Sequence, residues 1–184
     1  GPTDVGLYTR ASVLLSRPLE QFLSPISAVL LPVLSRLQSD PERYRRAFLR
    51  AFDAIGLVSF PASALVLAAA RPLVMVLLGP KWEGVVSLFA GFTGAALYMP
   101  LAIPATWLFT SQGRGQELVK TNLILSTVTI LAFLVGLPYG ALGMILGFSL
   151  AGLLVRLPLE YYPVGRAGPV RTAELWRVFL AHVP

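Results

Sequence analysis

The sequence predicts an all-α integral membrane protein, a polytopic helical bundle of about five transmembrane helices, some of them bent by proline. Of the 184 residues, 55% are hydrophobic and only 13% are charged, and the mean hydropathy is +0.72. Soluble domains carry about 25% charged residues, so too few polar side chains remain here to cover a compact soluble domain. Several apolar runs approach the ~20 residues that a helix needs to cross a bilayer. Strict two-residue alternation is absent from these runs, which argues against a transmembrane barrel.

Residues 1–184 are predicted to form a single transmembrane helical domain. The apolar pattern starts again near the end of the sequence, in residues 172–184, and stops there. We therefore expect a fragment of a longer protein, in which the missing remainder of the parent chain would be a partner of this one. The predicted spans are about 6–35, 51–71, 84–110, 119–138 and 140–160.

The distribution of basic residues predicts the orientation of the spans. The links 36–50, 111–120 and 156–177 hold five, two and four cations, whereas the two alternate links hold two and none. Because cytoplasmic loops of membrane proteins are enriched in lysine and arginine, these three links are predicted to be cytoplasmic. The net charge of +6 has the same origin. No basic run is interleaved with exposed aromatic residues or set in a known nucleic-acid-binding motif, so we expect no nucleic acid partner.

The first span carries the candidate functional residues. At 100° per residue, the apolar side chains fall on one stripe, whereas Arg10, Arg17, Glu20 and Ser24 lie away from it. Placing a charge such as Arg17 against lipid would cost at least ~2.5 kcal/mol, so we expect this polar face to meet water or other helices. The apolar stripe is predicted to contain Leu15, Leu19, Phe22, Ile26, Leu30, Val33 and Leu37.

Two interpretations of these charges remain open. Arg17 and Glu20 are three residues apart and could pair with each other to join two helices, while Arg10 could extend to the outer interface. Alternatively, the charges line a hydrophilic cavity, where a guanidinium group would bind the phosphate oxygens of a cargo in a fork. Three prolines seven residues apart, Pro18, Pro25 and Pro32, are predicted to bend this helix, as in the moving helix of a transporter.

Local signals predict the ends of several helices. Asp40 followed by Pro41 indicates a helix start, and Arg71-Pro72 indicates a break at the end of the second span. Gly143 and Gly147 have the GxxxG spacing that favours close packing of helices in a membrane.

The sequence offers little catalytic chemistry. There is no cysteine, and His182 is the only histidine, so the usual ligands of a zinc site are lacking. Residues 111–115, Ser-Gln-Gly-Arg-Gly, contain no phosphate-binding lysine motif. We expect neither an enzyme nor a cofactor.

An ordered set of short motifs resembles a known family. GLYTRA (6–11), PVLSRLQSDPERYRRAFLRAF (32–52), LLGPKWEG (77–84), SQGR (111–114) and LVGLPYGALG (134–143) are similar to the Wzx-like polysaccharide biosynthesis proteins. These are oligosaccharide flippases of the multidrug/oligosaccharidyl-lipid/polysaccharide exporter superfamily. The resemblance covers nearly the whole chain, although no single motif within it is decisive.

The resemblance implies that the chain is about five helices of the second half of a flippase. The parent protein would move undecaprenyl-pyrophosphate-linked oligosaccharide across the bacterial inner membrane by alternating access, with membrane lipids around it. One alternative is a drug or other lipid exporter of the same superfamily. Two others are a membrane-embedded glycosyltransferase or ligase of cell-envelope polysaccharide synthesis and a membrane scaffold that transports nothing.

Overall fold

The structure, a computed structural model, describes residues 2–182, apart from the side chains of residues 2–5, 7, 8, 15 and 93. The chain is about 90% helical, and no strand occurs among the described residues, which confirms the all-α prediction. The last two residues of the predicted segment 172–184 lie outside the described part. The helices are α1 (Pro2–Arg36), α2 (Pro41–Ala68), α3 (Ala70–Leu77), α4 (Val85–Gly91), α5 (Thr93–Ser111), α6 (Gly115–Gly136), α7 (Gly140–Ala151), α8 (Leu157–Arg166) and α9 (Thr172–His182).

Several of these helices are suited to a membrane. Three helical stretches of the described chain, Thr9–Arg36, Pro41–Ala68 and Gly115–Arg166, are long and apolar enough to cross a bilayer, and α4 with α5 makes a fourth if the bent pair is one span. The prediction of a polytopic membrane protein is therefore confirmed. The limits of the individual spans stay predictions.

The stretch Gly115–Arg166 is 52 residues long but reverses its direction in the middle. A 3₁₀ turn at Leu137–Tyr139 is followed by Gly140, whose φ of +71° lies in the region that favours glycine. The rings of Phe133 and Phe148, on either side of the turn, stack with their centroids 5.8 Å apart. The stretch is thus a helical hairpin, with α6 as one arm and α7 and α8 as the other.

Glycines let the two arms of this hairpin approach closely. A Cβ atom placed on Gly136 would lie 2.5 Å from the carbonyl oxygen of Gly143, and one on Gly147 would lie 2.8 Å from the carbonyl oxygen of Ala132. Both distances are shorter than non-bonded contacts allow. The close packing predicted from the GxxxG spacing is confirmed, and its partner is α6.

Helix α2 begins where the sequence predicts, but it ends earlier than the predicted break at Arg71-Pro72. The Asp40 side chain accepts a hydrogen bond from the backbone N–H of Arg43 at 3.1 Å, and Pro41 is the first helical residue. The predicted break at Arg71-Pro72 is wrong by a few residues. The helix ends at Ala68, and Pro72 falls in the first turn of α3, where its missing N–H leaves no hydrogen bond unmade.

The predicted span 84–110 is not one straight helix. Helices α4 and α5 meet at 54° around Phe92, whose N–H bonds to the carbonyl oxygen of Phe89, as in a tighter 3₁₀ turn. Glycines at positions 91 and 94 flank the bend and pack against α7. The uniform hydropathy of the segment gave no signal of this bend.

The predicted link 156–177 is mostly helical. Helix α8 continues to Arg166, because Leu157, Tyr161 and Val164 form a stripe that is fully buried. Only residues 167–171 separate α8 from α9. The sequence suggested a loop here because arginines are spread over this stretch.

Hydrogen bonds bring the three basic links to the same end of the bundle. The amide of Gln38 donates to the backbone carbonyl of Ser111, whose hydroxyl lies 2.5 Å from the Tyr44 hydroxyl. Arg114 donates to the carbonyl oxygen of Pro163 at 2.7 Å. Links that were predicted to share one side of the membrane therefore share one end of the fold.

Helix α9 lies along the first half of α2. Arg45 Nε donates to Glu174 Oε1 at 2.7 Å, and the N–H of Arg171 donates to Glu174 Oε2 at 2.9 Å. The Arg45 hydrogen bond, helped by that N–H, lowers the pKa of Glu174 although burial opposes the shift. At the other end of α9, His182 Nε2 lies 2.9 Å from Asp53 Oδ1. These contacts fasten α9 at both ends.

Candidate functional site

The four candidate residues form an exposed stripe along α1. Arg10, Arg17 and Ser24 are spaced by seven residues, which is close to two helical turns, so their side chains follow the helix axis over ~20 Å. Glu20 lies one turn from Arg17 on the same side. All four are exposed. We call Arg10, Arg17, Glu20 and Ser24 the polar stripe.

The opposite face of α1 packs against the rest of the bundle. Ala11, Leu23 and Leu34 are at most 3% exposed. Most of the predicted apolar stripe also packs against the core, but Val33 is 42% exposed and does not. Leu15 lies outside the residues with described side chains. The separation of the two faces is confirmed, and the centre of the buried face is slightly rotated from the prediction.

The charges of the polar stripe have different surroundings. Within the described residues, Arg17 and Glu20 form no ion pair with each other or with another residue. The guanidinium of Arg10 lies over the Trp82 ring, 5.5 Å from its centroid, in a cation–π contact. This contact joins residues 72 positions apart, so no local spacing in the sequence could have indicated it.

A cavity of about 190 Å³ lies beside the stripe, between α1, α2 and α5. Its walls are mainly apolar and include Pro18, Phe22, Val66 and Met99, with Ser59 and Ser63 as polar exceptions. No member of the polar stripe lines it. The structure therefore places the candidate charges on an open face of α1 rather than in an enclosed cavity of the described residues.

The stripe can act by hydrogen bonding and charge. Two guanidinium groups and a hydroxyl in one line suit an extended anionic ligand that also carries hydroxyl groups, and the carboxylate of Glu20 can accept from such hydroxyls. Among the residues described, no group of three histidines, aspartates or glutamates is placed to hold a metal ion.

Comparisons with known proteins show a similarity to proteins of polysaccharide biosynthesis. Residues 1–87 match the family model described as polysaccharide biosynthesis protein. The lipopolysaccharide biosynthesis protein WzxC of Escherichia coli (strain K12) is 26% identical over 169 residues, 88% of this chain and 34% of that protein. An uncharacterized membrane protein in the cps region of Klebsiella pneumoniae is 25% identical over 163 residues, 88% of this chain and 33% of that protein.

The chain spans about a third of the length of these curated relatives. No solved structure matches it. The family model covers the segment that contains the polar stripe, and the relatives cover most of the rest. The resemblance of this chain to the Wzx-like polysaccharide biosynthesis proteins is therefore confirmed.

Proposed function

We propose that the chain is part of a flippase that moves undecaprenyl-pyrophosphate-linked oligosaccharide across the bacterial inner membrane by alternating access. In this proposal the chain performs transport and catalyses no reaction. The three basic links at one end of the bundle face the cytoplasm. The name of the Escherichia coli relative, a lipopolysaccharide biosynthesis protein, supports the substrate class.

The observation that carries the proposal is the polar stripe on an otherwise apolar helix. An arginine on a lipid-facing surface would be costly, so the exposed Arg17 needs a polar environment that the described residues do not supply. A water-filled path lined by this face of α1 meets that need. The rest of the parent protein would form the opposite wall.

The chemistry of the stripe fits the headgroup of a lipid-linked sugar. A guanidinium binds phosphate oxygens in a planar fork, and Ser24 and Glu20 can exchange hydrogen bonds with sugar hydroxyls. A cationic drug would instead be attracted by carboxylates, of which the stripe contains one. The three prolines lie on exposed positions of α1 and could give this helix alternative bends.

The test is Arg17→Ala in the full-length protein, expressed in cells whose own flippase gene is deleted. We expect surface polysaccharide to fall roughly tenfold or more, because a charged hydrogen bond contributes about 1.5–3 kcal/mol. Protein abundance in the membrane should stay constant, and Arg17→Lys should keep part of the activity.

The matched control is Arg36→Ala, which removes an exposed arginine from the last turn of the same helix but off the stripe. We expect it to leave the polysaccharide level unchanged. Normal polysaccharide in Arg17→Ala, at normal protein abundance, would refute the role of the stripe.

A further inference from the structure

Helix α8 holds a buried carboxyl group that is not part of the polar stripe. Glu160 is only 5% exposed. No ion pair or hydrogen bond joins it to another residue in the described part of the chain. Keeping such a group ionised in an apolar bundle is costly, so glutamates inside membrane proteins are rarely left without a partner unless they have a function.

An arginine with an unused donor lies one turn away. Arg156 precedes Glu160 by four residues, and its Nε atom is buried with no hydrogen-bond partner. Its guanidinium lies over the ring of Phe148, 5.7 Å from the centroid.

The backbone beside this pair is irregular. Residues Gly152–Arg156 form a π-helical turn between α7 and α8. Single π turns inside α-helices are rare and are frequent at functional sites. Side chains four residues apart on a helix are neighbours. A change of rotamer would thus bring the Arg156 guanidinium to the Glu160 carboxylate.

The other charged groups on helices packed against α8 are engaged elsewhere or exposed, whereas the tyrosines Tyr98 and Tyr161 are buried. Glu117 of α6 is held by Arg114, 2.6 Å away, and Glu174 of α9 is held by Arg45. The remaining groups are Tyr98 on α5, Lys120 on α6, Arg171, Arg177 and His182 on or next to α9, and Tyr161, Tyr162 and Arg166 on α8 itself.

We propose that Glu160 is a proton-binding site and that Arg156 is its positioning residue. In this proposal the buried carboxyl group holds its proton while the Nε of Arg156 is unpaired. When the O–H bond of Glu160 breaks, the proton passes to water at the nearby end of the bundle. That end, where α8 finishes, is six residues or ~9 Å away. The carboxylate is then neutralised by Arg156, and the reverse step restores the buried acid.

The experiment is an infrared titration of the full-length protein in detergent, which follows the C=O band of protonated carboxylic acids as the pH is raised. The wild type should show such a band, and it should vanish at alkaline pH. Glu160→Gln, which keeps the shape of the side chain, should lack it. Glu42→Gln, which changes an exposed carboxyl group in the first turn of α2, is the control and should leave the band unchanged.

The role of Arg156 is tested in the same titration. Removing its charge in Arg156→Gln should move the midpoint by at least ~1 pH unit to higher pH, because an opposite charge within reach favours ionisation. Arg156→Lys should largely restore the midpoint.

A band that persists in Glu160→Gln would overturn the proposal, and so would a midpoint that does not move in Arg156→Gln. If Glu160→Gln fails to fold, the wild type and the two Arg156 variants still decide it. The measurement needs no lipid substrate, so its result is separate from that of the flippase test.

Discussion

Replacing Gly136 with alanine should loosen the α6–α7 hairpin. The added methyl group would lie 2.5 Å from the carbonyl oxygen of Gly143 and 2.7 Å from Cα of Met144. Both are backbone atoms, which cannot rotate away as a side chain would. The two arms must therefore separate by several tenths of an ångström along the glycine contact.

The size of the effect follows from two opposing contributions. Overpacking a tight site costs about 1–3 kcal/mol, and the upper value applies here because rigid backbone is displaced. Alanine is favoured over glycine in a helix interior by about 1 kcal/mol. The net loss in the free energy of unfolding should therefore be about 2 kcal/mol.

The assay is reversible unfolding of the purified full-length protein in mixed detergent, with the helical circular dichroism signal as readout. The matched control is Gly115→Ala at the start of the same helix, where an added Cβ meets no atom within 4 Å. This control should be neutral or slightly stabilising. If Gly136→Ala is as stable as Gly115→Ala, the close approach of the arms is not as described.

Two further predictions concern the end of the bundle where the basic links meet. The pKa of Glu174 is lowered in the folded state, so its contact with Arg45 stabilises the fold above pH 4.5, and this stabilisation is lost as the pH falls below that value. In melting curves, Glu174→Gln should therefore be less stable than the wild type at neutral pH. The difference in melting temperature between the two proteins should disappear in acid. A gap that persists or widens in acid would contradict this assignment. Arg114→Lys should lower the melting temperature by roughly 3–12 °C, because the fork that reaches the last carbonyls of α8 is lost. Arg166→Lys, which changes an exposed arginine on α8, should lower the melting temperature by much less. Equal losses of melting temperature in the two variants would exclude a special role for Arg114.

Much of the fold could be predicted because it depends on local patterns. Hydropathy over a bilayer length predicted a helical membrane protein, and the Asp40-Pro41 signal placed the start of α2 correctly. The bend at Phe92 and the π turn at Gly152–Arg156 were missed, since both depend on how α5 and α7 pack against each other. The continuation of α8 was missed because its arginines resembled those of a loop.

The candidate site was predictable only in part. The spacing of Arg10, Arg17 and Ser24 showed that they share one face of a helix, and the structure has them exposed together on α1. Their function stays a prediction. The contact of Arg10 with Trp82 depends on tertiary structure. Glu160 was overlooked because a single carboxylate in a sequence gives no indication that the fold buries it.

The π turn between α7 and α8 also indicates how the length of this arm of the hairpin could change during evolution. A π turn holds one residue more than an α-helical turn, so it behaves as an accommodated insertion. Losing one residue from this turn would restore a regular helix and rotate all of α8 by about 100° relative to α7. Glu160 and Tyr161 would then leave the core, and other side chains would replace them. In related chains, the length of this segment should therefore vary together with the residues that α8 buries.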